Sequence, residues 1–112
     1  MADSVLQSCA AGKTVTIARG QTVAVVLRAY FNVDQYEQVT DFSVSDRNVL
    51  SAVGGSPQSL PGPSNGGFEY EVALFRADRA GETTISAVDR QCNGNLDACN
   101  RGYLWWVTIE VT

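Results

Sequence analysis

The sequence predicts an all-β protein, specifically an immunoglobulin-like antiparallel β-sandwich of about seven strands. Short segments alternate apolar and polar residues, turn residues separate them at fairly even intervals, and no stretch of helical length repeats its apolar residues every ~3.6 positions. The clearest case is residues 66–88, where two alternating segments flank a turn at 78–81. Alternation in the first of these segments predicts a buried face made of Phe68, Tyr70, Val72 and Leu74.

Length and composition fit one globular domain. The chain has 112 residues, of which 45% are hydrophobic and 18% charged, and this is enough for a single hydrophobic core. Residues 1–12 are small and polar and are interpreted as a flexible lead-in, so the single sandwich domain is expected at 13–112. No apolar run approaches the ~20 residues that a membrane-spanning helix needs, and the start of the chain lacks the features of a signal peptide.

Four strands are predicted in the first half of the chain, at 14–18, 22–31, 42–44 and 49–53. The first two flank a short glycine-containing turn, and together they predict a hairpin. The second segment is apolar on one face and largely apolar on the other until Arg28, so it is expected in the interior of its sheet. A polar loop is expected at 32–40.

The second half opens with residues 54–67, which hold all three prolines and several glycines. Proline disfavours both a helix and a central strand, so an exposed loop is expected there. The two alternating segments on either side of 78–81 follow as strands. A polar loop is then expected at 89–102, and residues 103–111 predict a strong final strand.

Composition also argues against several classes of function. There is no histidine, so a Ser-His-Asp or Cys-His catalytic pair cannot form, and zinc ligands at metal-binding spacing are lacking. The glycine pairs lack the helix and lysine of a phosphate-binding loop. The net charge is −4 and the arginines are scattered, which is unlike a nucleic-acid-binding surface. We therefore predict a protein that is not an enzyme, has no metal or other cofactor, and does not bind nucleic acid.

Three cysteines suggest an oxidising compartment. Cys92 and Cys99 bracket a short polar loop that a disulfide could close, which leaves Cys9 free or lipid-linked. Pairing of Cys9 with Cys92 or Cys99 is the alternative, and sequence alone does not choose between them. We expect an extracytoplasmic protein, whether secreted, periplasmic or on the cell surface.

The last strand contains two adjacent tryptophans. Alternation places Trp105 on the same inward face as Val107, Ile109 and Val111, and it turns Trp106 outward. An outward Trp106 beside the cysteine-bracketed loop predicts a binding anchor, because aromatic residues dominate binding hot spots. Two alternatives stay open: Trp106 packs under a neighbouring loop, or a bulge exchanges the two tryptophans.

The order of segments resembles that of the chagasin-like inhibitors of papain-type cysteine proteases, over about the last two-thirds of the chain and the opening pair of strands. The segments that carry the resemblance are Thr14 to Leu27, Ser45-Asp46-Arg47-Asn48-Val49-Leu50, Gly66-Gly67, Phe75-Arg76-Ala77 and Gly81-Glu82-Thr83-Thr84-Ile85. Two of the three inhibitory loop motifs of that family are missing. Where the family has Asn-Pro-Thr-Thr-Gly-Tyr and Arg-Pro-Trp, this chain has Asn32-Val33-Asp34-Gln35-Tyr36 and Arg90-Gln91-Cys92.

The resemblance implies a function as well as a fold. Three loops at one end of the sandwich would enter a protease cleft and block it, and a Cys92–Cys99 disulfide would pre-organise the third loop. The partner-binding residues expected on this basis are Asn32, Asp34, Tyr36, Gly66, Gly67, Arg90, Arg101, Trp105 and Trp106. The alternative is a structural or adhesion-type immunoglobulin-like module that binds a protein or a carbohydrate.

Overall fold

The computed structural model describes residues 3–30, 35–54, 57–61, 68–93 and 103–112. The described residues form nine strands and one short 3-10 helix at Ser8–Ala10. The strands are β1 (Ser4–Leu6), β2 (Thr14–Ile17), β3 (Thr22–Tyr30), β4 (Gln35–Val44), β5 (Leu50–Ala52), β6 (Gln58–Pro61), β7 (Phe68–Ala77), β8 (Gly81–Asn93) and β9 (Tyr103–Val111). Within these described segments, no helix is long and apolar enough to cross a membrane.

Two sheets pack as a sandwich, which confirms the predicted fold class. The first sheet has the order β1-β3-β7-β5, with β6 also paired to β7, and the second has the order β2-β9-β8-β4. Both sheets are mixed, because β1 runs parallel to β3 and β2 runs parallel to β9. Nine strands occur where about seven were predicted. The additional ones are β1, in the predicted lead-in, and β6, in the proline-containing segment, where an edge position tolerates Pro61.

The predicted hairpin of the first two long segments is wrong. β2 pairs with β9 in the second sheet, whereas β3 pairs with β7 in the first sheet. A tight turn carries the chain from one sheet to the other: the N–H of Gln21 donates to the carbonyl of Ala18 at 3.1 Å, and Gly20 has a φ of +85°. A hairpin and a corner between sheets share the same local sequence pattern. The choice between them depends on strands that lie far away in the sequence.

β3 is an interior strand, as its two apolar faces predicted, but the predicted buried face of β7 is wrong. The core-facing residues of β7 are Ala73, Phe75 and Ala77, none more than 4% exposed. Tyr70, Val72 and Leu74 lie on the other face and are half-buried there. The register explains the choice, because Ala73 and Phe75 pair with the fully buried Val25 and Val23 of β3. Alternation distinguishes two faces without saying which is buried.

Both sheets contribute to one hydrophobic core. Its largest fully buried side chains are Leu50, Ile85, Ile109, Val23, Val25 and Val107. The buried hydroxyl of Thr83 sits at the rim of this core, where it accepts the N–H of Asp46 at 2.8 Å and lies 3.1 Å from the Ser45 hydroxyl. Ser45 in turn accepts the N–H of Thr84 at 2.9 Å. These bonds satisfy the buried hydroxyl and fix the end of β4 against the start of β8.

We expect Gly81→Ala to destabilise the fold by about 2 kcal/mol. Gly81 has a φ of +149°, and a β-carbon there would lie 3.0 Å from Cγ2 of Val49. Urea unfolding measures the loss. Gly54→Ala is the matched control, because a β-carbon at Gly54 has no atom within 4 Å, and its effect should stay within about 0.5 kcal/mol. Equal stability of the two variants would contradict the role assigned to Gly81.

Candidate functional site

Three connections of the chain leave the strands at one end of the sandwich, which we call the loop end. In the first sheet Tyr30, at the end of β3, pairs with Phe68, at the start of β7. In the second sheet Gln35, at the start of β4, pairs with Asn93, at the end of β8. Only four residues join Tyr30 to Gln35, a reach of at most about 18 Å, so these two strand ends lie at the same end. Connections 31–34, 62–67 and 94–102 therefore all start or finish there.

The pairing of the long strands β4 and β8 places some of the predicted contact residues at this end. Tyr36 pairs with Cys92, and Gln38 pairs with Arg90. Strand pairing continues further toward the loop end than the sequence predicted, since β4 begins within the expected loop 32–40 and β8 extends into the expected loop 89–102. The predicted site residues Asn32, Asp34, Gly66, Gly67 and Arg101, and the cysteine Cys99, lie outside the described residues.

The two tryptophans face opposite sides of β9, as alternation predicted. Trp105 is 8% exposed and belongs to the core, whereas Trp106 is 41% exposed. The pairing of β9 with β8 is continuous from Val111 to Tyr103, so no bulge exchanges their positions. The Trp106 carbonyl accepts the N–H of Gly12 at 2.8 Å, which ties this part of β9 to the segment before β2. Trp106 is thus the tryptophan that a partner could reach.

Trp106 is part of a small apolar surface on the outer face of the second sheet, which we call the Trp106 patch. Leu104 lies two residues away on the same face and is 65% exposed, and it pairs with the half-buried Val88. Leu104 directly follows Tyr103, the first residue of β9, so the patch adjoins the loop end. Leu104 was not among the predicted contact residues, although it lies two residues before Trp106 and alternation places it on the same outward face.

Acidic side chains lie on the inner side of β7 near the loop end. Glu69 and Glu71 pair with Ala29 and Leu27 of β3 and are half-buried. The Ser59 hydroxyl lies 2.8 Å from each carboxylate oxygen of Glu71. Burial raises the pKa of Glu71, the Ser59 hydrogen bond lowers it, and the charge of Glu69 raises it, so that the net pKa is above its ordinary value. Among the described residues, no three His, Cys, Asp or Glu side chains are grouped as metal ligands.

Cys9 lies in the 3-10 helix, where its thiol is exposed and free. The alternative pairing of Cys9 with Cys92 or Cys99 is therefore not formed in this structure. A bond between Cys92 and Cys99 stays a prediction, because Cys99 is outside the described residues.

This architecture, an all-β sandwich with three connections at one end, is similar to that of several solved structures, one of which is a cysteine protease inhibitor. The inhibitor EhICP2 from Entamoeba histolytica superposes with a TM-score of 0.67 at 13% identity, over 96% of this chain and 94% of that one. PbICP-C, solved in complex with falcipain-2, has a TM-score of 0.55 at 11% identity, over 97% and 98% of the two chains. Amebosin has a TM-score of 0.52 at 19% identity, with 97% of each chain covered.

These likenesses concern the fold. No protein-family model matches the chain, and no curated protein matches its sequence. The predicted resemblance to chagasin-like inhibitors is therefore confirmed for the architecture, over nearly the whole chain. A likeness at 11% to 19% identity shows the fold alone, so it assigns no role to the residues at the loop end of this chain.

We expect the two tryptophans to differ sharply in their contribution to stability. Trp105→Ala removes a core side chain and should lower the free energy of unfolding by about 3–5 kcal/mol. Trp106→Ala changes a side chain that is 41% exposed and should cost about 1 kcal/mol or less. Urea denaturation of both variants gives the comparison, and a similar loss in both would contradict the orientation of β9.

We expect Glu71 to oppose folding at neutral pH. Its raised pKa means that the folded chain binds a proton more readily than the unfolded chain, so its contribution to stability improves as the pH falls through the folded pKa. Glu71→Gln should therefore be relatively more stable at pH ~7 than at pH ~4.5, by less than about 1 kcal/mol, since the group is only half-buried. Thermal unfolding at the two pH values measures the difference.

Asp78→Asn gives the control of opposite sign. Hydrogen bonds from Ser51 and Arg76 lower the pKa of Asp78, so its contribution is present at neutral pH and is lost as the pH falls through the folded pKa. This variant should therefore lose stability at neutral pH and match the wild type in acid. The same sign for both variants would contradict the assignment.

Proposed function

We propose that this protein is a non-enzymatic inhibitor of papain-like cysteine proteases and that it acts through the loop end. The observation that carries the proposal is the convergence of connections 31–34, 62–67 and 94–102 at one end of the sandwich. One protein with a similar architecture, EhICP2, is named as a cysteine protease inhibitor, and another, PbICP-C, was solved in complex with falcipain-2. Inhibitors of this type need no catalytic group of their own, which agrees with a chain that lacks histidine.

The mechanism is steric occlusion of the protease cleft. The first and third connections begin or end on β4 and β8, which are neighbours in the second sheet, and the second connection enters β7 in the first sheet. The three connections would therefore form a wedge, and the paired strands would be its base. Long paired strands hold the ends of the loops in place before binding, and this reduces the conformational entropy lost when the complex forms.

Residues in each connection, or in the strand beside it, would make the contacts. Asn32, Asp34 and Tyr36 serve the first, Gly66 and Gly67 serve the second, and Arg90 and Arg101 serve the third. The Trp106 patch, beside the start of β9, would add an apolar contact at the edge of the interface. Trp105, being buried, would support β9 from the core.

Titration of papain with the purified protein tests the proposal. We expect saturable inhibition at micromolar concentration or below, without cleavage of the inhibitor. The double variant Arg90→Ala/Arg101→Ala should weaken inhibition by about tenfold or more, because it removes charged hydrogen-bond donors from the end of β8 and from the connection that follows it. Arg19→Ala is the matched control, since Arg19 is exposed in the turn before β3, at the opposite end of the sandwich. An absence of inhibition at micromolar concentration would exclude this function for papain-like targets.

The Trp106 patch favours a second candidate function, an adhesion-type module that binds a protein or a carbohydrate on its sheet face. Trp106 and Leu104 are both exposed, and tryptophan is enriched among the residues that contribute most to binding. The two functions differ in the variants that matter. An adhesion module would lose binding in Trp106→Ala and keep it in the arginine double variant.

An extracytoplasmic location belongs to the proposal, with a Cys92–Cys99 disulfide that restrains the third connection. We expect alkylation of the unreduced protein, purified after secretion, to modify one cysteine, which peptide mapping should identify as Cys9. Reduction should make all three cysteines reactive. Modification of all three without reductant would contradict the disulfide.

A further inference from the structure

An apolar cleft opens along one side of the sandwich, between the edge strands of the two sheets. Its volume is about 290 Å³, and it lies between β4 of the second sheet and β5 of the first. Leu50 and Phe75 lie behind the cleft and are almost sealed from solvent, at 0% and 4% exposed. The half-buried side chains Phe42 and Val44 form one wall, and the exposed Ala52 forms the opposite lip.

The cleft exists because neither edge strand covers it. β5 has three residues and ends at Ala52, and the edge of the first sheet resumes only with β6 at Gln58, so the side of the sheet beside the end of β4 is not fully closed. In β4 the pairing with β8 shifts between Thr40 and Ser43, and this irregularity adds an extra residue just before the cleft wall. Phe42 packs against the core only partly, so the space beneath it stays open.

Arg47 is the only charged residue that lines the cleft within the described part of the chain. It is exposed in the turn between β4 and β5, and among the described residues its guanidinium has no hydrogen-bond or ion-pair partner. The nearby carboxylates are engaged elsewhere. Asp46 accepts the N–H of Asn48 at 3.0 Å, and Asp78 accepts from Nε of Arg76 at 3.1 Å.

The polar side chains at the rim are engaged as well. The Ser43 hydroxyl is 2.8 Å from that of Ser86, and Ser51 hydrogen-bonds to Asp78. The cleft therefore presents an apolar interior and one available cation at its mouth. A neutral apolar ligand would leave that cation unused, and a polar ligand would find few donors or acceptors inside.

We propose that this cleft binds a small apolar carboxylate, whose hydrocarbon part lies between Phe42 and Ala52 and whose carboxylate pairs with Arg47. The volume of 290 Å³ corresponds to about ten water-sized groups, which suits a hydrocarbon of six to nine carbons or one large apolar residue with a terminal carboxylate. A guanidinium pairs with a carboxylate through two parallel hydrogen bonds, so it also orients the ligand.

This site is separate from the loop end. The cleft lies at the end of β4 that is bounded by Val44, and the loop end lies at Gln35, roughly 30 Å away along the strand. The two proposals can therefore fail independently. Arg47→Ala should inhibit papain as the wild type does, whatever its effect on the cleft.

Octanoate is the probe for the first experiment, with 1-octanol as the uncharged analogue. Titration followed by amide NMR should give saturable shifts at 42–44 and 50–52, and octanoate should bind about tenfold more tightly than octanol. Arg47→Ala should remove that difference, whereas Arg47→Lys should retain part of it. Arg79→Ala is the matched control, because Arg79 is an exposed arginine in the adjacent turn, and it should leave octanoate binding unchanged.

A second variant tests the apolar part of the cleft. Ala52→Phe should fill the space from the exposed lip and abolish the shifts from both probes, while the rest of the NMR spectrum shows that the fold is retained. A peptide with a C-terminal leucine and its amidated form separate the two sources of an apolar carboxylate. Tighter binding of octanoate assigns the cleft to free carboxylic acids, and tighter binding of the peptide with the free terminus assigns it to chain ends.

Three results would overturn the proposal. One is the absence of saturable shifts for octanoate up to about 10 mM. Another is equal affinity for octanoate and octanol in the wild type. The third is a set of shifts centred on the Trp106 patch, which would mean that the probe binds the outer face of the second sheet.

Discussion

The pairing of β3 with β7, followed by the short passage from Tyr30 to Gln35, constrains most of this structure. Nine consecutive residue pairs hold β3 against β7, so the end of one strand lies beside the start of the other. The four residues after Tyr30 then oblige β4 to begin close by in the opposite sheet. Because β4 pairs with β8 from its first residue, the end of β8 is drawn to the same place. The shared end of the three connections is thus a consequence of register and a short connection, and it does not depend on the loop sequences themselves.

The local sequence pattern predicted the fold correctly where the residues of a single strand identify its buried face. β9 is the best example: Trp105 points inward and Trp106 outward because Val107, Ile109 and Val111 mark the core side without ambiguity. β7 shows the limit of that reasoning. Both of its faces carry apolar residues, and only pairing with Val23 and Val25 decides that the face with Ala73 is buried.

Long-range partners also explain the other differences between sequence and structure. β2 and β3 look like a hairpin locally, yet each finds its partner in a different sheet. β4 and β8 continue through polar residues because each provides the other with backbone hydrogen bonds, a source of strand formation that residue type does not reveal. In the candidate site, the outward Trp106 followed from alternation. The convergence of the three connections required the sheet order, and the cleft beside Phe42 required the mismatch in length between β4 and β5.

The likeness to solved structures concerns the scaffold and not the site. An architecture shared at 11% and 13% identity means that many sequences satisfy the same burial pattern, since a core asks mainly for apolar residues of suitable volume on the inward positions. The positions of Ser45 and Thr83 restrict the residue type more strongly. The buried Thr83 hydroxyl needs hydrogen-bond partners, and it finds them in the Ser45 hydroxyl and the N–H of Asp46. Loops on a surface tolerate more sequence change than the strands that they connect.

The parallel pairing of β2 with β9 has a consequence for how the chain is made. Thr112 donates its backbone N–H to the carbonyl of Ile17 at 2.9 Å, across a separation of 95 residues. The interior strand β9 is therefore the last part of the sandwich to leave the ribosome, and until it does, β2 has no neighbour and β8 lacks one of its two. Contacts between such distant parts of a chain close slowly, because a long loop must be ordered before they form. The nascent protein would thus lack an interior strand of its second sheet until β9 has been made, and a chain truncated before residue 103 would lack the strand that joins β2 to the rest of that sheet.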